Sequence, residues 1–160
     1  MSKVSVQIYC DGGKEVGYGH LFRSRALNNI FLSNGITSSL YGLTNEVNEL
    51  IGKEKFDNQN ADVIVLDSHR NIESRLVNLK KQNKKIITLD WFGNEKPHIN
   101  IVIHPHQKPK ALTKSFIGYK YVILRDQILN QKKINRKKNQ VIICIGGGTY
   151  WAKAIWLLII

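Results

Sequence analysis

The chain has 160 residues, 42% of them hydrophobic and 22% charged, with three prolines. That suffices for one ordinary α/β domain with its own core, falls short of a two-domain cleft, and excludes a disordered, collagen-like or disulfide-stapled protein. The net charge of +12 is confined to one half: Met1 to Leu79 carry 8 Lys+Arg against 9 Asp+Glu, whereas Lys80 to Lys138 carry 15 against 3.

Apolar runs of strand length alternate with amphipathic stretches of helix length, the pattern of β-α units that build a parallel sheet. Lys3 to Cys10 reads as the first strand and His20 to Ser33 as the first helix, with an apolar stripe through Phe22, Ala26, Leu27, Ile30 and Phe31. Ile36 to Tyr41 is a weaker strand and Asn45 to Glu54 a short helix. Asp62 to Leu66 is a continuous apolar run of the kind buried on both faces of a parallel sheet. In Asn71 to Gln82, Ile72, Leu76 and Leu79 recur at helical spacing. Lys85 to Leu89, Ile99 to Ile103, Tyr121 to Leu124 and Gln140 to Ile145 supply further strands, and Ile134 to Asn139 is a polar, basic linker. The ending, Tyr150 to Ile160, starts as a helix would and stops on seven apolar residues without a cap, so it reads as cut. Seven residues cannot span a bilayer, which needs roughly 20.

The basic runs, Lys80, Lys81, Lys84, Lys85 and Lys132, Lys133, Arg136, Lys137, Lys138, are almost all lysine and lack interleaved aromatics for base stacking. They read as a solvated helix end and a solvated linker, and no nucleic-acid partner is expected. Cys10 and Cys144 sit in apolar runs without C-x-x-C spacing, as small core residues. With no secretory signal, the chain reads as cytoplasmic.

In open parallel sheets ligands bind beyond the carboxyl ends of the strands. Four such places carry polar chemistry: Asp11-Gly12-Gly13 with Gly17, Tyr18, Gly19, His20 and Arg23 after the first strand; Asp67-Ser68-His69 after the third; Asp90-Trp91 after the fourth; Gly146-Gly147-Gly148-Thr149 after the last. The glycines do not form a G-x-G-x-x-G fingerprint or a P-loop, which disfavours a dinucleotide or nucleoside-triphosphate site. His20 falls in the first helical turn, where a neutral imidazole can act as a general base, and Arg23 lies three residues on, on the same face. Each could equally be a loop-bonded helix residue and a surface charge. Asp67 and Asp90 taken singly are ordinary strand-end caps; together with His20 they make convergence plausible. Gly146 to Gly148 could cradle a phosphate or simply turn the chain. His69, His98, His104 and His106 lack a helical i, i+4 pair, and no metal or cofactor is expected.

These residues carry a resemblance. Asp11, Gly17, Gly19, His20 and Arg23, in the order D-x5-G-x-G-H-x-x-R, resemble the N-terminal signature of the UDP-sugar hydrolase family of pseudaminic acid biosynthesis and the related spore-coat polysaccharide proteins. Four further blocks follow in order: VIVLDSHRNI, IITLDWFGNEKPHINIVIHP, YVILRDQIL and VIICIGGGT. Trp91 stands where the family has a second aspartate. The resemblance implies a Rossmann-like, three-layer αβα domain, the N-terminal half of a GT-B fold, over residues 1–133. Residues 134–160 would then be a linker and the truncated start of a UDP-binding C-terminal domain. It also implies metal-independent hydrolysis of the bond between UDP and the anomeric carbon of a diacetamido-trideoxy-hexose. His20 would activate water, Asp11, Gly17, Tyr18, Gly19, Arg23, Asp67 and Asp90 would line the substrate, and Gly146, Gly147 and Gly148 would meet the phosphates. A GT-B glycosyltransferase and an inactive, truncated binding domain are the alternatives, and the 160 residues alone are expected to be inactive.

Overall fold

The computed structural model describes residues 4–52, 61–103, 106 and 114–130. Strands β1 (Ser5–Cys10), β2 (Thr37–Gly42), β3 (Val63–Asp67), β4 (Lys85–Leu89), β5 (Ile99–Val102) and β6 (Lys114–Ile117) form one sheet in the order β2-β1-β3-β4-β5-β6. Every pairing is parallel. Helices α1 (Gly19–Ser33), α2 (Asn45–Ile51), α3 (Glu73–Lys81) and α4 (Asp126–Leu129), with a 3₁₀ turn at Tyr119–Tyr121, complete the described elements. Among the described residues no helix is long and apolar enough to cross a membrane.

Side chains alternate across a strand, and here both faces of the sheet are apolar. Val6, Ile8 and Cys10 of β1, Val65 of β3 and Leu89 of β4 pack with Leu21 of α1 and Val47 of α2. Tyr9, Ile64, Leu66 and Ile86 face the other way, onto Leu76 and Leu79 of α3. The result is the three-layer, Rossmann-like α/β architecture that the alternating pattern implies. The chain steps one way across the sheet from β1 to β2 and the other way from β3 to β4. Right-handed crossovers therefore put α1 and α3 on opposite faces. Each fully buried Leu or Ile contributes about 1.5–3 kcal/mol, so the two clusters carry most of the gross stabilisation.

Local signals set the helix ends. The Thr44 hydroxyl accepts the Val47 amide to cap α2. Glu73 in the first turn of α3 and Lys80 and Lys81 in its last turn complement the helix dipole. Lys84 Nζ donates to the Ala61 carbonyl at 2.7 Å and Lys80 pairs with Glu95 at 3.1 Å, so this lysine run is spent on the helix end and its surroundings. The second lysine run and the expected strand at Gln140 to Ile145 lie outside the described residues, as does the boundary at residue 134.

Two expectations are corrected. Tyr121 to Leu124 is not a strand: the place beside β5 is filled by Lys114–Ile117, with Ile99 opposite Lys114 and Val102 opposite Ile117. Two polar residues out of four hide β6 from a hydrophobic pattern. The apolar YVIL run comes after the sheet edge is occupied, and Ile123 packs onto the α1 side of the core. The α1 stripe is also rotated. Leu21 is buried and Phe22 is 47% exposed, because the helix turns His20 and Ser24 inward instead. The Arg125 guanidinium covers the outward Phe22 ring at 5.4 Å.

Candidate active site

The strand order reverses between β1 and β3, which lie side by side with Cys10 opposite Asp67. Such a switch point opens a crevice at the carboxyl ends of the two strands. Asp11, Asp67 and Asp90 follow or end β1, β3 and β4, so the parallel sheet delivers all three to the same edge. The first turn of α1 brings His20, Arg23 and Ser24 to it from one helical face.

Asp67 is the hub. It is fully buried, and its two oxygens have four partners. Oδ1 receives His20 Nδ1 at 2.6 Å and Arg23 Nη2; Oδ2 receives Arg23 Nε at 2.9 Å and Ser24 Oγ at 3.0 Å. Burial alone would raise this carboxyl's pKa, but the hydrogen bonds from His20 and Arg23 and the guanidinium charge outweigh it and hold it below the usual range. Arg23 also reaches Asp90 Oδ2 at 2.5 Å. Burial works against its charge, and the two carboxylates more than offset that, raising its pKa further.

An ionised Asp67 accepts hydrogen bonds only, so the proton of a neutral His20 belongs on Nδ1. The lone pair is then on Nε2, for which the described residues provide no hydrogen-bond partner. His20 is 8% exposed, enough to touch the crevice while its ring is fixed from behind. The edge of the His69 ring meets it, 4.5 Å between centroids and 76° between planes. Burial, and then repulsion from Arg23 and from His20 whenever that ring is protonated, lower the pKa of His69, with Asp90 and Asp67 partly opposing.

Asp90 turns the chain at φ 50°, a left-handed conformation that aspartate tolerates better than most residues. Its Oδ1 accepts the Ile103 amide at 2.9 Å. The following loop forms one wall of a cleft of about 280 Å³, between Asp90, Trp91, Phe92, Gly93 and Asn94 on one side and Ser68 to Asn71 with Glu73 on the other. Gly93 passes so close to the Trp91 ring that a Cβ there would overlap it at 2.0 Å. Asn100 holds the same loop from below: its Oδ1 accepts Thr88 Oγ1 and the Trp91 amide, and its Nδ2 donates to the Trp91 carbonyl.

Comparisons with protein-family models, with curated proteins and with solved structures find no match.

The remaining sequence candidates divide. Gly17, at φ 75°, donates its amide to the Gly13 carbonyl and closes the glycine loop on itself. Gly19 opens α1 with open space where a Cβ would sit. The Tyr18 hydroxyl donates to Glu46 of α2, and this hydrogen bond, more than its partial burial, raises the phenol's pKa. Asp11 is buried and bonded to Gly12, Ser68 and Arg70. His98 lies at the opposite edge of the sheet, before β5, where its Nδ1 accepts the Ile86 amide. Gly146, Gly147, Gly148 and His104 lie outside the described residues. Sequence reasoning missed Ser24, Glu46, Arg70 and Asn100, and met Ser68 only as part of a strand-end turn. Only Ser24 had a spacing signal, four residues after His20 on the same helical face.

Proposed function

We propose that this chain is the N-terminal, sugar-side domain of a nucleotide-sugar hydrolase. It would cleave UDP from a diacetamido-trideoxy-hexose in a cytoplasmic step of surface-polysaccharide or nonulosonic acid biosynthesis. The observation that carries the reading is the 2.6 Å contact between His20 Nδ1 and the buried Asp67 carboxylate at the switch point. It supports a base with a fixed tautomer, the pattern in which a carboxylate orients an imidazole and stabilises the imidazolium that forms.

In this mechanism His20 Nε2 removes a proton from water as the water oxygen bonds to the anomeric carbon. The bond from that carbon to the diphosphate breaks, and its electron pair leaves with UDP. Asp67 stays ionised and holds the Nδ1 proton, and Arg23 keeps Asp67 and Asp90 apart from the substrate as a neutralising bridge. Asp67 and Asp11 thereby act on other side chains rather than on the sugar. A base within hydrogen-bond reach contributes on the order of 10² to 10⁴ in rate. The rest must come from stabilising the departing diphosphate, the role the resemblance gives to Gly146, Gly147 and Gly148.

The test is UDP release from the altro-configured UDP-diacetamido-trideoxy-hexose by the full-length gene product, in which this domain is joined to the UDP-binding half that the reading requires. Turnover that drops at least about 100-fold in His20→Ala supports the reading. Retained turnover in that variant removes His20 as the base. Release that requires an acceptor other than water makes the protein a glycosyltransferase, and a folded wild type that neither binds nor cleaves the sugar nucleotide makes it a non-catalytic domain.

A further inference from the structure

Asp11 is 1% exposed, so its charge is not offered to a ligand. Its Oδ1 accepts the Gly12 amide at 2.8 Å, and its Oδ2 accepts Ser68 Oγ at 3.1 Å and Arg70 Nε at 2.9 Å. The Arg70 amide in turn donates to Ser68 Oγ at 3.0 Å. Both the backbone and the head of Arg70 are thus tied to one buried anion. Yet the side chain remains 48% exposed, and it lines the cleft opposite Asp90 and Trp91.

A guanidinium carries five N–H donors, and the anchor uses only Nε. The described residues provide no acceptor for Nη1 or Nη2. The other charged groups lining the cleft are already engaged: Glu73 Oε1 accepts the Asn94 amide, and Asp90 is held by Arg23 and the Ile103 amide. Among the described residues, Arg70 is therefore the permanent cation lining this cleft with donors to spare. Its rotamer freedom is removed before any ligand arrives, which lowers the entropy cost of binding. A planar fork presenting two nitrogens matches the paired oxygens of a phosphate or carboxylate.

We propose that Arg70, held in place by Asp11, is an oxyanion-binding residue that takes a phosphate or carboxylate group of the ligand on its Nη edge. The proposal goes beyond the hydrolase reading and does not need it, because binding is measured without turnover. It also separates Arg70 from a mere latch between the ends of β1 and β3, since a latch has no use for an anion.

The experiment follows the Arg70 Nε–Hε signal of the full chain by NMR while inorganic pyrophosphate, or in a second arm glucuronate, is added at constant ionic strength. The expected result is a saturable shift of that signal with one of the two, which identifies phosphate or carboxylate as the source. Affinity should fall at least about tenfold in Arg70→Met and less in Arg70→Lys, which keeps the charge and loses the fork. Equal affinity in wild type and Arg70→Met overturns the proposal. Should Arg70→Met fail to fold, the wild-type signal alone decides: an Arg70 resonance unmoved by saturating amounts of both anions also overturns it.

Discussion

Asp67, at the end of β3, and Asn100, inside β5, are both fully buried polar residues and both gather several hydrogen bonds, yet they serve different ends. Asn100 closes on a hydroxyl and on the main chain of Trp91, so every atom it satisfies stays inside the fold. Asp67 gathers His20, Arg23 and Ser24, and two of those side chains are an imidazole and a guanidinium beside the crevice. A buried charge is costly unless fully paired, whereas a buried amide achieves the same fixation without that cost. The difference teaches that the kind of partner, more than the number of bonds, separates a site-building hub from a fold-building one.

The comparison breaks most sharply at Asp67. Asp67→Asn is expected to move the His20 proton from Nδ1 to Nε2, because the amide would donate where the carboxylate accepted. On the hydrolase reading turnover falls about 10⁴-fold, as when other catalytic histidines are left in the wrong tautomer. The ¹⁵N shifts of the ring and a UDP-release assay check both halves. Asp67→Ala leaves Arg23 half unpaired and is expected to cost about 3–5 kcal/mol in denaturant unfolding.

Asn100→Ala is expected to cost less, about 2–3 kcal/mol, by stranding the Thr88 hydroxyl and the Trp91 main chain. The His20 tautomer should not change. An Asn100 variant that did flip the ring would show the two hubs to be one network.

Acidity distinguishes them next. Asp67 is held below the ordinary carboxyl range, so its stabilisation is present above about pH 4 and is lost as pH falls further and the carboxylate is forced to take a proton. His69 has a lowered pKa in the fold, so the unfolded chain takes up its proton first and stability begins to decline below about pH 6.5. Asn100 does not titrate and adds no slope. Urea midpoints between pH 7 and pH 3 test this: stability should fall monotonically, and the upper part of the decline should shrink in His69→Gln, the remainder coming from His98, whose pKa burial also lowers. The smallest effect is Ser24→Ala, about 1 kcal/mol for one hydrogen bond to Asp67.

Much of this was legible beforehand, for identifiable reasons. Strand β3 stands out because burial on both faces makes it a continuous apolar run, and β1, β4 and β5 because apolar residues dominate them despite Gln7, Thr88 and Asn100; the parallel sheet then places Asp11, Asp67 and Asp90 on one edge. β6 was hidden because an edge strand can be half polar, and Phe22 misled because polar anchors, not apolar residues, set the rotation of α1. The circuits through Ser68, Arg70 and Asn100 were beyond reach. They depend on which loop meets which, and spacing along the chain does not encode that.

The two edges of the sheet have a consequence for how copies of the protein meet. Among the described residues, β2 borders the sheet with Thr37 and Ser39 and β6 with Lys114 and Ser115, so neither border is a wholly apolar strip on which a second sheet could extend itself. Polar and lysine-bearing borders of this kind discourage strand addition between molecules. The same short, half-polar β6 that escapes a hydrophobic pattern is thus also a poor template for an incoming strand.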